Sequence, residues 1–275
     1  MNAFKKTIVA TSIAAAAMFA GATAQAASFN PFTINPVGSA ANFQADKITG
    51  NYTEIATFNE DGTFNVSLYW RAGQFVTGGG NVPLEGGDTG LGFDYGIYAL
   101  YKASGTVSVN GNITTFNFAP SAAGDLKFML DAPRNNVGAT VIAPTTGSGD
   151  FIIAGSGDDT ILATGEPLTG LGTLNPGLST CGNGGINCGS FGSNTTFNLT
   201  AAGAGFFIAP NPFYSLSFQS GQLNNFNPTG TQTINGSLDV VFSDAAEVPE
   251  PASVGLLGLG MLGLYAARRR NKKAA

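Results

Sequence analysis

The sequence predicts an all-β protein with an antiparallel β-sandwich or jelly-roll-like body, and three observations support this prediction. Apolar and polar residues alternate in many short runs, as in residues 64–70, where every second side chain is a large apolar one. Gly, Asn, Pro and Thr cluster between these runs, where turns are expected. No long segment between the two ends of the chain has the period of an amphipathic helix. Short half-buried strands joined by turns are typical of such bodies.

The predicted strands are short, and one pair of them has a specific turn signal between them. Asn110-Gly111 lies between two alternating runs, and Asn-Gly favours a tight hairpin because both residues tolerate positive φ. We therefore expect an antiparallel hairpin at this point. Strands are predicted at residues 64–70, 93–101, 106–109, 113–116, 126–130, 139–143, 151–154, 160–163, 195–200, 206–209, 214–218 and 238–242.

One internal stretch departs from the alternating pattern. Residues 165–193 are rich in Gly and contain Pro167 and Pro176. Clusters of Gly and Pro mark turns and loops, so we expect a long ordered loop or insertion here. With 21 Phe, 7 Tyr and 1 Trp, the chain has ample apolar material for a core. We expect a single body over residues 27–243.

The composition argues against most enzyme classes. The chain has no His, which removes the Ser-His-Asp and Cys-His arrangements and His-ligated zinc. Paired carboxylates such as Glu60 with Asp61, or Asp158 with Asp159, would suit a glycosidase only at the right spatial separation. Turn formation explains both pairs more simply. We therefore expect no catalytic residues and no enzymatic activity.

The first 26 residues have the three parts of a secretory signal peptide. Lys5 and Lys6 precede an apolar, alanine-rich run over residues 7–21. Ala24 and Ala26 then place small residues at the −3 and −1 positions of a cleavage site before Ala27. This pattern predicts export through the Sec translocon and removal of residues 1–26.

The C-terminal end also has three parts, after a short polar linker at residues 244–248. Pro249-Glu250-Pro251 is followed by 16 uncharged residues and then by a basic cluster that begins with Arg268, Arg269 and Arg270. The uncharged stretch would make a helix of about 24 Å, shorter than the roughly 30 Å hydrocarbon core of a bilayer. Such a helix can enter the bilayer but is too short to hold the chain there well as a permanent membrane anchor. The basic tail keeps this end on the cytoplasmic side and leaves the body outside.

This ending resembles the PEP-CTERM sorting signal of Gram-negative bacteria that make extracellular polysaccharide. The resemblance covers residues 248–275 and implies a single C-terminal sorting helix. It also implies that an exosortase, a membrane-embedded peptidase, recognises Pro249, Glu250 and Pro251. Arg268 to Arg270 would act as the stop, and cleavage would fall near the Pro-Glu-Pro motif. The chain would then be held transiently at the inner membrane before it reaches the cell surface or the extracellular matrix.

The charge of the body limits its partners. Between the two tails the chain has five basic residues, and all 17 acidic residues of the sequence lie between Asp46 and Glu250, which leaves a net charge of −12. A body this acidic does not neutralise phosphates, so nucleic acid is not expected as a partner. Divalent cations, cationic surfaces and, through bridging ions, acidic polysaccharides are the partners that this charge favours.

The cysteines of the chain are Cys181 and Cys188, with six residues between them. An exported chain reaches an oxidising compartment, and this spacing allows a small closed loop, so we expect a disulfide. Because the loop is short, the bond is expected to stiffen a surface loop and to be dispensable for the fold.

The body itself resembles the flocculation-associated PEP-CTERM proteins of floc-forming bacteria. The similar segments are distributed over almost the whole body: residues 29–35, 46–52, 69–75, 95–101, 211–214 and 226–237. The resemblance implies a role in cell aggregation, flocculation and biofilm formation within an exopolysaccharide matrix, and it carries no catalytic residues. Two alternatives remain: a carbohydrate- or calcium-dependent binding module and, less favoured, a polysaccharide hydrolase.

A single short segment suggests calcium. Residues 154–162 match a calcium-binding nonapeptide pattern at four positions, including Asp159 next to Asp158. The pattern occurs once, whereas such sites need stacked turns to complete the coordination shell. Asp158 and Asp159 are therefore weak calcium candidates, and a turn before a strand is the favoured interpretation.

Two aromatic pairs offer a possible sugar-stacking surface. Tyr69 is adjacent to Trp70, and Tyr98 lies close to Tyr101 in the next predicted strand. Packing in the core or across strands is the commoner fate of such residues. We therefore expect most of these rings to be buried.

Overall fold

The structure is a computed structural model that describes residues 29–38, 40–122, 124–132, 134–135, 140–181, 187–219 and 222–243. The predicted signal peptide, the linker, the Pro-Glu-Pro motif and the sorting helix lie outside these residues. Within the described part of the chain, no helix is long and apolar enough to span a membrane.

The described chain is built almost entirely of strands. Helical structure is limited to a four-residue helix at Gly86–Thr89, a six-residue helix at Ala201–Phe206 and a 3-10 turn at Ser156–Asp158. The strands are β1 (Phe32–Ile34), β2 (Phe43–Ala45), β3 (Lys47–Phe58), β4 (Thr63–Thr77), β5 (Val82–Pro83), β6 (Gly96–Asn110), β7 (Ile113–Ala119), β8 (Leu126–Asp131), β9 (Val141–Ile142), β10 (Ile152–Ile153), β11 (Thr160–Gly165), β12 (Pro167–Leu174), β13 (Gly189–Thr195), β14 (Asn198–Leu199), β15 (Phe207–Ala209), β16 (Ser215–Gln219) and β17 (Gly230–Ser243).

Eight of these strands form a sheet that closes on itself. Their order is β6, β7, β12, β13, β16, β17, β3 and β4, and β4 pairs back with β6. Every pairing in this ring is antiparallel. We call this ring the closed sheet. The expected all-β, antiparallel class is confirmed, and closure around one interior is a feature that the sequence pattern did not specify.

Closure is possible because β6 is long enough to have different neighbours along one edge. Its first half pairs with β8, and its second half pairs with β7 through the predicted hairpin at Asn110. The opposite edge of β6 pairs with β4. β11 and β14 continue the sheet beyond β8. A separate three-stranded sheet, β15-β1-β2, packs Phe32 edge-on against Phe242 of β17.

The interior of the closed sheet is filled by the inward side chains that alternation predicts. In β4 the predicted run places Phe64, Val66, Leu68 and Trp70 inside, each no more than 2% exposed. The Trp70 indole donates a hydrogen bond to the Leu238 carbonyl oxygen at 2.9 Å. Edge-to-face ring contacts, each worth about 1 kcal/mol beyond burial, connect further Phe side chains in this core.

The expected loop over residues 165–193 was wrong for about half of its length. β12 and β13 are full members of the closed sheet and pair with each other over Pro167–Leu174 and Gly189–Thr195. The prediction was wrong because it took Gly170 and Gly172 as loop residues. In the structure they are strand residues that stand opposite Phe118 and Phe116 of β7. A Cβ at Gly172 would come within 3.1 Å of the Phe116 ring. These glycines make room for aromatic neighbours, as glycines do at close approaches inside sheets.

Two further differences have local causes. The predicted strand at residues 195–200 is interrupted, because β13 ends at Thr195 and Phe197 turns into the core, where it is 6% exposed. β3 was not predicted, since Gly50 and Glu54 occupy inward positions between its apolar residues and hide the alternation. The predicted strands at residues 126–130, 160–163, 206–209 and 214–218 correspond to described strands with small shifts at their ends, whereas 238–242 is only the last part of β17, which begins at Gly230.

Candidate functional site

The aromatic residues that could stack on sugars lie on opposite sides of the sheet. Trp70 and Tyr101 point into the interior and are 0% and 2% exposed. Tyr101 shares a hydrogen bond with the Ser193 hydroxyl at 2.6 Å, across the interior. Burial raises the pKa of the Tyr101 hydroxyl above its ordinary range. Core packing, as expected for most of these rings, is confirmed for this inner pair.

Tyr69 and Tyr98 form an outer pair on the other face of β4 and β6. Their rings lie 5.9 Å apart, and Phe151 lies 5.9 Å from Tyr69. Phe151 and Ile153 come from the segment around β10 and are both buried. This segment covers the outer face, and Tyr98 is only 4% exposed. The outer pair is therefore a packing surface for the chain's own loop and offers no open platform for a sugar ring.

The weak calcium candidates have separate hydrogen-bond partners. Asp159 accepts a hydrogen bond from the Tyr98 hydroxyl at 2.5 Å, and Asp158 accepts one from the Asn135 amide at 2.8 Å. The two residues lie at the end of a 3-10 turn that leads into β11. This agrees with the favoured interpretation of the segment, a turn before a strand. Burial, and then the bond to Asp159, raise the pKa of Tyr98. Among the described residues, no three Cys, Asp or Glu side chains are grouped to hold a metal ion.

The other carboxylate pair lies in the turn between β3 and β4. Asp61 accepts hydrogen bonds from the Thr63 backbone N–H at 2.9 Å and from the Thr63 hydroxyl at 2.6 Å. These bonds hold the pKa of Asp61 below its usual range. Glu60 beside it is exposed. This is the hydrogen bonding of an Asp that stabilises a turn.

The carboxyl group of Glu54 is buried inside the closed sheet, and the alternation pattern did not predict this position. Glu54 is 7% exposed, and burial raises its pKa to about 8. Its apolar surroundings include Phe64, Phe116 and Ile234. The cavity beside it has a volume of about 20 Å³, which is room for a single water and not for a sugar.

Cys181 and Cys188 are joined by a disulfide bond in the structure. Cys188 is 0% exposed and belongs to the core, whereas Cys181 is half-buried. The Cys188 carbonyl accepts a hydrogen bond from the Asn175 N–H at 2.7 Å, and the Cys188 N–H donates to the Leu223 carbonyl at 2.7 Å. The expected surface position therefore applies to Cys181 alone, and Cys188 ties the loop to the core.

Beside this disulfide lies a cavity with a volume of about 630 Å³. A second cavity of about 340 Å³ adjoins it, and Gln219 lines both. The two cavities lie over the outward faces of β12, β13, β16 and β17. We call this continuous surface the polar groove. Its combined volume falls within the range of about 300–1,000 Å³ that is typical of small-molecule sites.

Most outward positions of the four strands in the groove are Ser, Thr, Asn or Gln, and Leu171 of β12 is an exposed apolar residue among them. Ser190 and Asn194 come from β13, and Ser217 and Gln219 come from β16. Gly192 lies between Ser190 and Asn194 and adds no side chain that would fill the groove. The Ser217 hydroxyl donates a hydrogen bond to Asn194 Oδ1 at 2.8 Å. Hydroxyl and amide groups such as these both donate and accept hydrogen bonds.

One charged side chain, Asp239, lines the groove among the described residues. Lys47 neutralises it through an ion pair of 2.9 Å. Asn187 lies at the edge next to the disulfide, with φ of 59°. Its Oδ1 is buried and accepts no hydrogen bond from any described residue.

Sequence reasoning missed the groove because most of it comes from the segment that was expected to be a loop. Thr173, Asn175 and Ser190 are all within residues 165–193. The available signal was the pattern Thr169-x-Leu171-x-Thr173, which places every second residue on one face of a strand.

The chain matches the family model of the PEP-CTERM protein-sorting motif over residues 247–270. It therefore carries a PEP-CTERM sorting motif, as expected from Pro249-Glu250-Pro251 and the Arg cluster, and this motif marks a substrate of an exosortase. The motif indicates export, transient membrane anchoring and a final position at the cell surface or outside the cell. No curated protein and no solved structure was found to match the chain.

Proposed function

We propose that this chain is a non-enzymatic matrix protein of a Gram-negative bacterium that promotes cell aggregation together with exopolysaccharide. The observation that carries the proposal is the PEP-CTERM sorting motif at residues 247–270. A chain with an N-terminal signal peptide and this motif is delivered outside the cell, where a polysaccharide matrix is the surrounding material. The resemblance of the body to flocculation-associated proteins supports the same role.

The described body has properties that suit a persistent matrix component. Its all-β closed sheet has a dense aromatic core, and its polar groove is lined mainly by uncharged side chains, many of which form hydrogen bonds. Many weak contacts made by many copies give strong collective attachment without any single tight site. Aggregation by this route needs no turnover of the polysaccharide.

The first experiment tests processing. We expect the mature extracellular protein to begin near Ala27 and to end near Glu250, and mass spectrometry of the extracellular fraction measures both ends. A matched variant with Pro249, Glu250 and Pro251 replaced by Ala should stay uncleaved in the membrane fraction. Secreted protein that still contains residues 256–270 would contradict the proposed processing.

The second experiment tests aggregation. Deletion of the gene should disperse flocs while polysaccharide synthesis continues, and the full chain should restore flocs better than a chain that ends before Pro249. If cations bridge the acidic body to the matrix, chelation of divalent cations should weaken aggregation at constant protein level. Normal flocs from the deletion strain would overturn the proposal, and depolymerisation of the matrix by purified protein would favour a hydrolase instead.

A carbohydrate-binding module is the second candidate function, and the polar groove is the observation that favours it. Binding and matrix assembly are compatible, because a protein that holds a glycan also holds cells embedded in it. The distinguishing measurement is saturable binding of a defined glycan by the purified chain.

A further inference from the structure

We infer that the polar groove binds an uncharged segment of a polysaccharide chain through direct hydrogen bonds. This inference rests on the proposed function in one respect, since it names the class of matrix component that the protein would contact. It differs from the expectation based on net charge, which pointed to acidic polysaccharides held through bridging ions.

The shape of the groove favours a chain over a single small molecule. Its two cavities, of about 630 and 340 Å³, meet at Gln219 and follow the outer face of four neighbouring strands. Neighbouring strands are about 4.8 Å apart, so the groove crosses roughly 14 Å of sheet. An extended oligosaccharide fits an open groove of this kind, whereas a compact ligand needs an enclosed pocket.

The chemistry of the groove favours a neutral ligand with many hydroxyl groups. Ser190, Asn194, Ser217 and Gln219 supply hydroxyl and amide groups, which match sugar hydroxyls as donors and acceptors. Asp239, the one charged side chain that lines the groove in the described chain, is negative and paired with Lys47. No Lys or Arg is among the described residues that line the groove, so an anionic sugar would have no cationic partner there. The net negative charge of the body would also repel it.

The edge of the groove is held in place before any ligand arrives. The disulfide fixes Cys188 in the core, and the Thr180 hydroxyl donates a hydrogen bond to the Asn187 carbonyl at 3.0 Å. Asn187 Oδ1 is buried at this edge without a hydrogen-bond donor from the described residues. Asn187 lines the groove beside this fixed edge.

Another polar cavity of the body is no better suited to an anionic glycan. It has a volume of about 280 Å³ and is lined by Lys102 and Lys127, but also by Asp125 and Asp150. The Lys102 ammonium is paired with Asp150 at 3.0 Å. Its two positive charges are thus balanced by two negative ones.

The test is calorimetric titration of the purified full chain with defined oligosaccharides. The neutral probes are tetrasaccharides of glucose, galactose, mannose and N-acetylglucosamine, and the anionic probes are oligomers of alginate and of dextran sulfate. The groove variants are Gln219→Ala and Asn187→Gly, since glycine removes the amide and tolerates the positive φ of this position. Gln44→Ala on the exposed face of β2 is the matched control.

We expect at least one neutral probe to bind saturably, with or without a chelator, and each groove variant to bind it about three- to tenfold more weakly. Gln44→Ala should bind like the parent chain. Fluorescence of Trp70, the one tryptophan of the chain, reports whether each variant is folded. If Asn187→Gly fails to fold, Gln219→Ala alone decides.

Three results would overturn the inference: no binding of any neutral probe, tighter binding of an anionic probe, or equal binding by the parent and Gln219→Ala. These outcomes are separate from the fate of the proposed function. A deletion strain that loses its flocs, combined with a groove that binds no glycan, would leave the matrix role standing and place the contact elsewhere on the protein.

Discussion

The four strands β12, β13, β16 and β17 have two faces of opposite chemistry, and adjacent residues belong to different faces. Phe218 points into the closed sheet and is 1% exposed, whereas Gln219 lines the polar groove. Leu238 and Asp239 repeat this contrast in β17. Because successive side chains point to opposite sides of a strand, one segment supplies both core and binding surface. Substitutions in the two faces should therefore affect different properties.

The largest expected effect comes from the inner face. Phe218→Ala should lower the free energy of unfolding by about 4 kcal/mol, because it removes a buried ring and leaves a cavity. The lost contacts include an edge-on packing against Tyr101, with ring centroids 5.2 Å apart. Urea unfolding followed by Trp70 fluorescence measures the change.

The neighbouring residue provides the control for this experiment. Gln219→Ala should change the free energy of unfolding by less than about 0.5 kcal/mol, as expected for a surface substitution. Similar losses for Phe218→Ala and Gln219→Ala would show that the two faces are not separated as described.

The second prediction concerns the pH dependence of the inner face. Glu54 has a pKa of about 8 in the folded chain and an ordinary value of 4.5. Between about pH 4.5 and pH 8 the folded state keeps a proton on Glu54 that the unfolded state loses. The contribution of Glu54 to the free energy of unfolding is therefore lowest at high pH. Its contribution is greatest below about pH 4.5 and declines as the pH rises to about 8. Tyr52 and Tyr101 face the same carboxyl and stay neutral over this range.

Glu54→Gln should remove this dependence. At pH 8 the variant should be more stable than the parent chain by about 3 kcal/mol, since each pKa unit corresponds to roughly 1.4 kcal/mol and local relaxation relieves part of the cost. At pH 4.5 the two should be similar. Urea unfolding at both pH values is the measurement, and Glu60→Gln on the exposed turn is the control. An equal gain at both pH values would argue against a buried, titrating Glu54.

The third prediction concerns the boundary between the two faces, where the disulfide lies. Cys181→Ser and Cys188→Ser both remove the bond, and both chains should still fold because the closed loop is short. Cys188→Ser should be less stable than Cys181→Ser by about 1 kcal/mol, since it places a hydroxyl in the core. Thermal unfolding of the two variants side by side measures the difference. Equal stability would mean that Cys188 does not belong to the core.

The smallest stability effect is expected within the groove. Ser217→Ala removes the hydrogen bond to Asn194 at 2.8 Å, yet solvent can replace this partner. The free energy of unfolding should change by less than about 0.5 kcal/mol, while binding of the neutral oligosaccharide weakens. A loss of more than about 1 kcal/mol would show that the groove residues hold the fold together.

Part of this arrangement could be predicted from local pattern. In β4 the alternation of Phe64 to Trp70 correctly identified a strand and its inner face, because apolar residues at every second position have one way to be buried together. The 110–113 hairpin followed from its turn residues for a similarly local reason.

The groove and the buried acid could not be predicted in this way. Gly170 and Gly172 resemble loop residues until Phe118 and Phe116 are known to stand opposite them. Glu54 resembles an exposed strand residue until the sheet closes around it. Both depend on strands that are distant in sequence, and single-sequence periodicity contains no information on such pairing.

The sequence by itself determined that the chain is exported, that it carries a PEP-CTERM sorting motif and that its body is all-β. Charge, apolar length and alternation are local properties, and a translocon, an exosortase or a forming strand responds to them locally. Only the tertiary structure decided that β4 pairs with β6 to close the sheet. It alone placed Cys188 in the core and joined Ser190 of β13 with Gln219 of β16 in one groove. These relations arise because the pairing and burial of strands that are distant in sequence lower the free energy of the whole chain. The residues of one short segment do not determine which distant strand it pairs with.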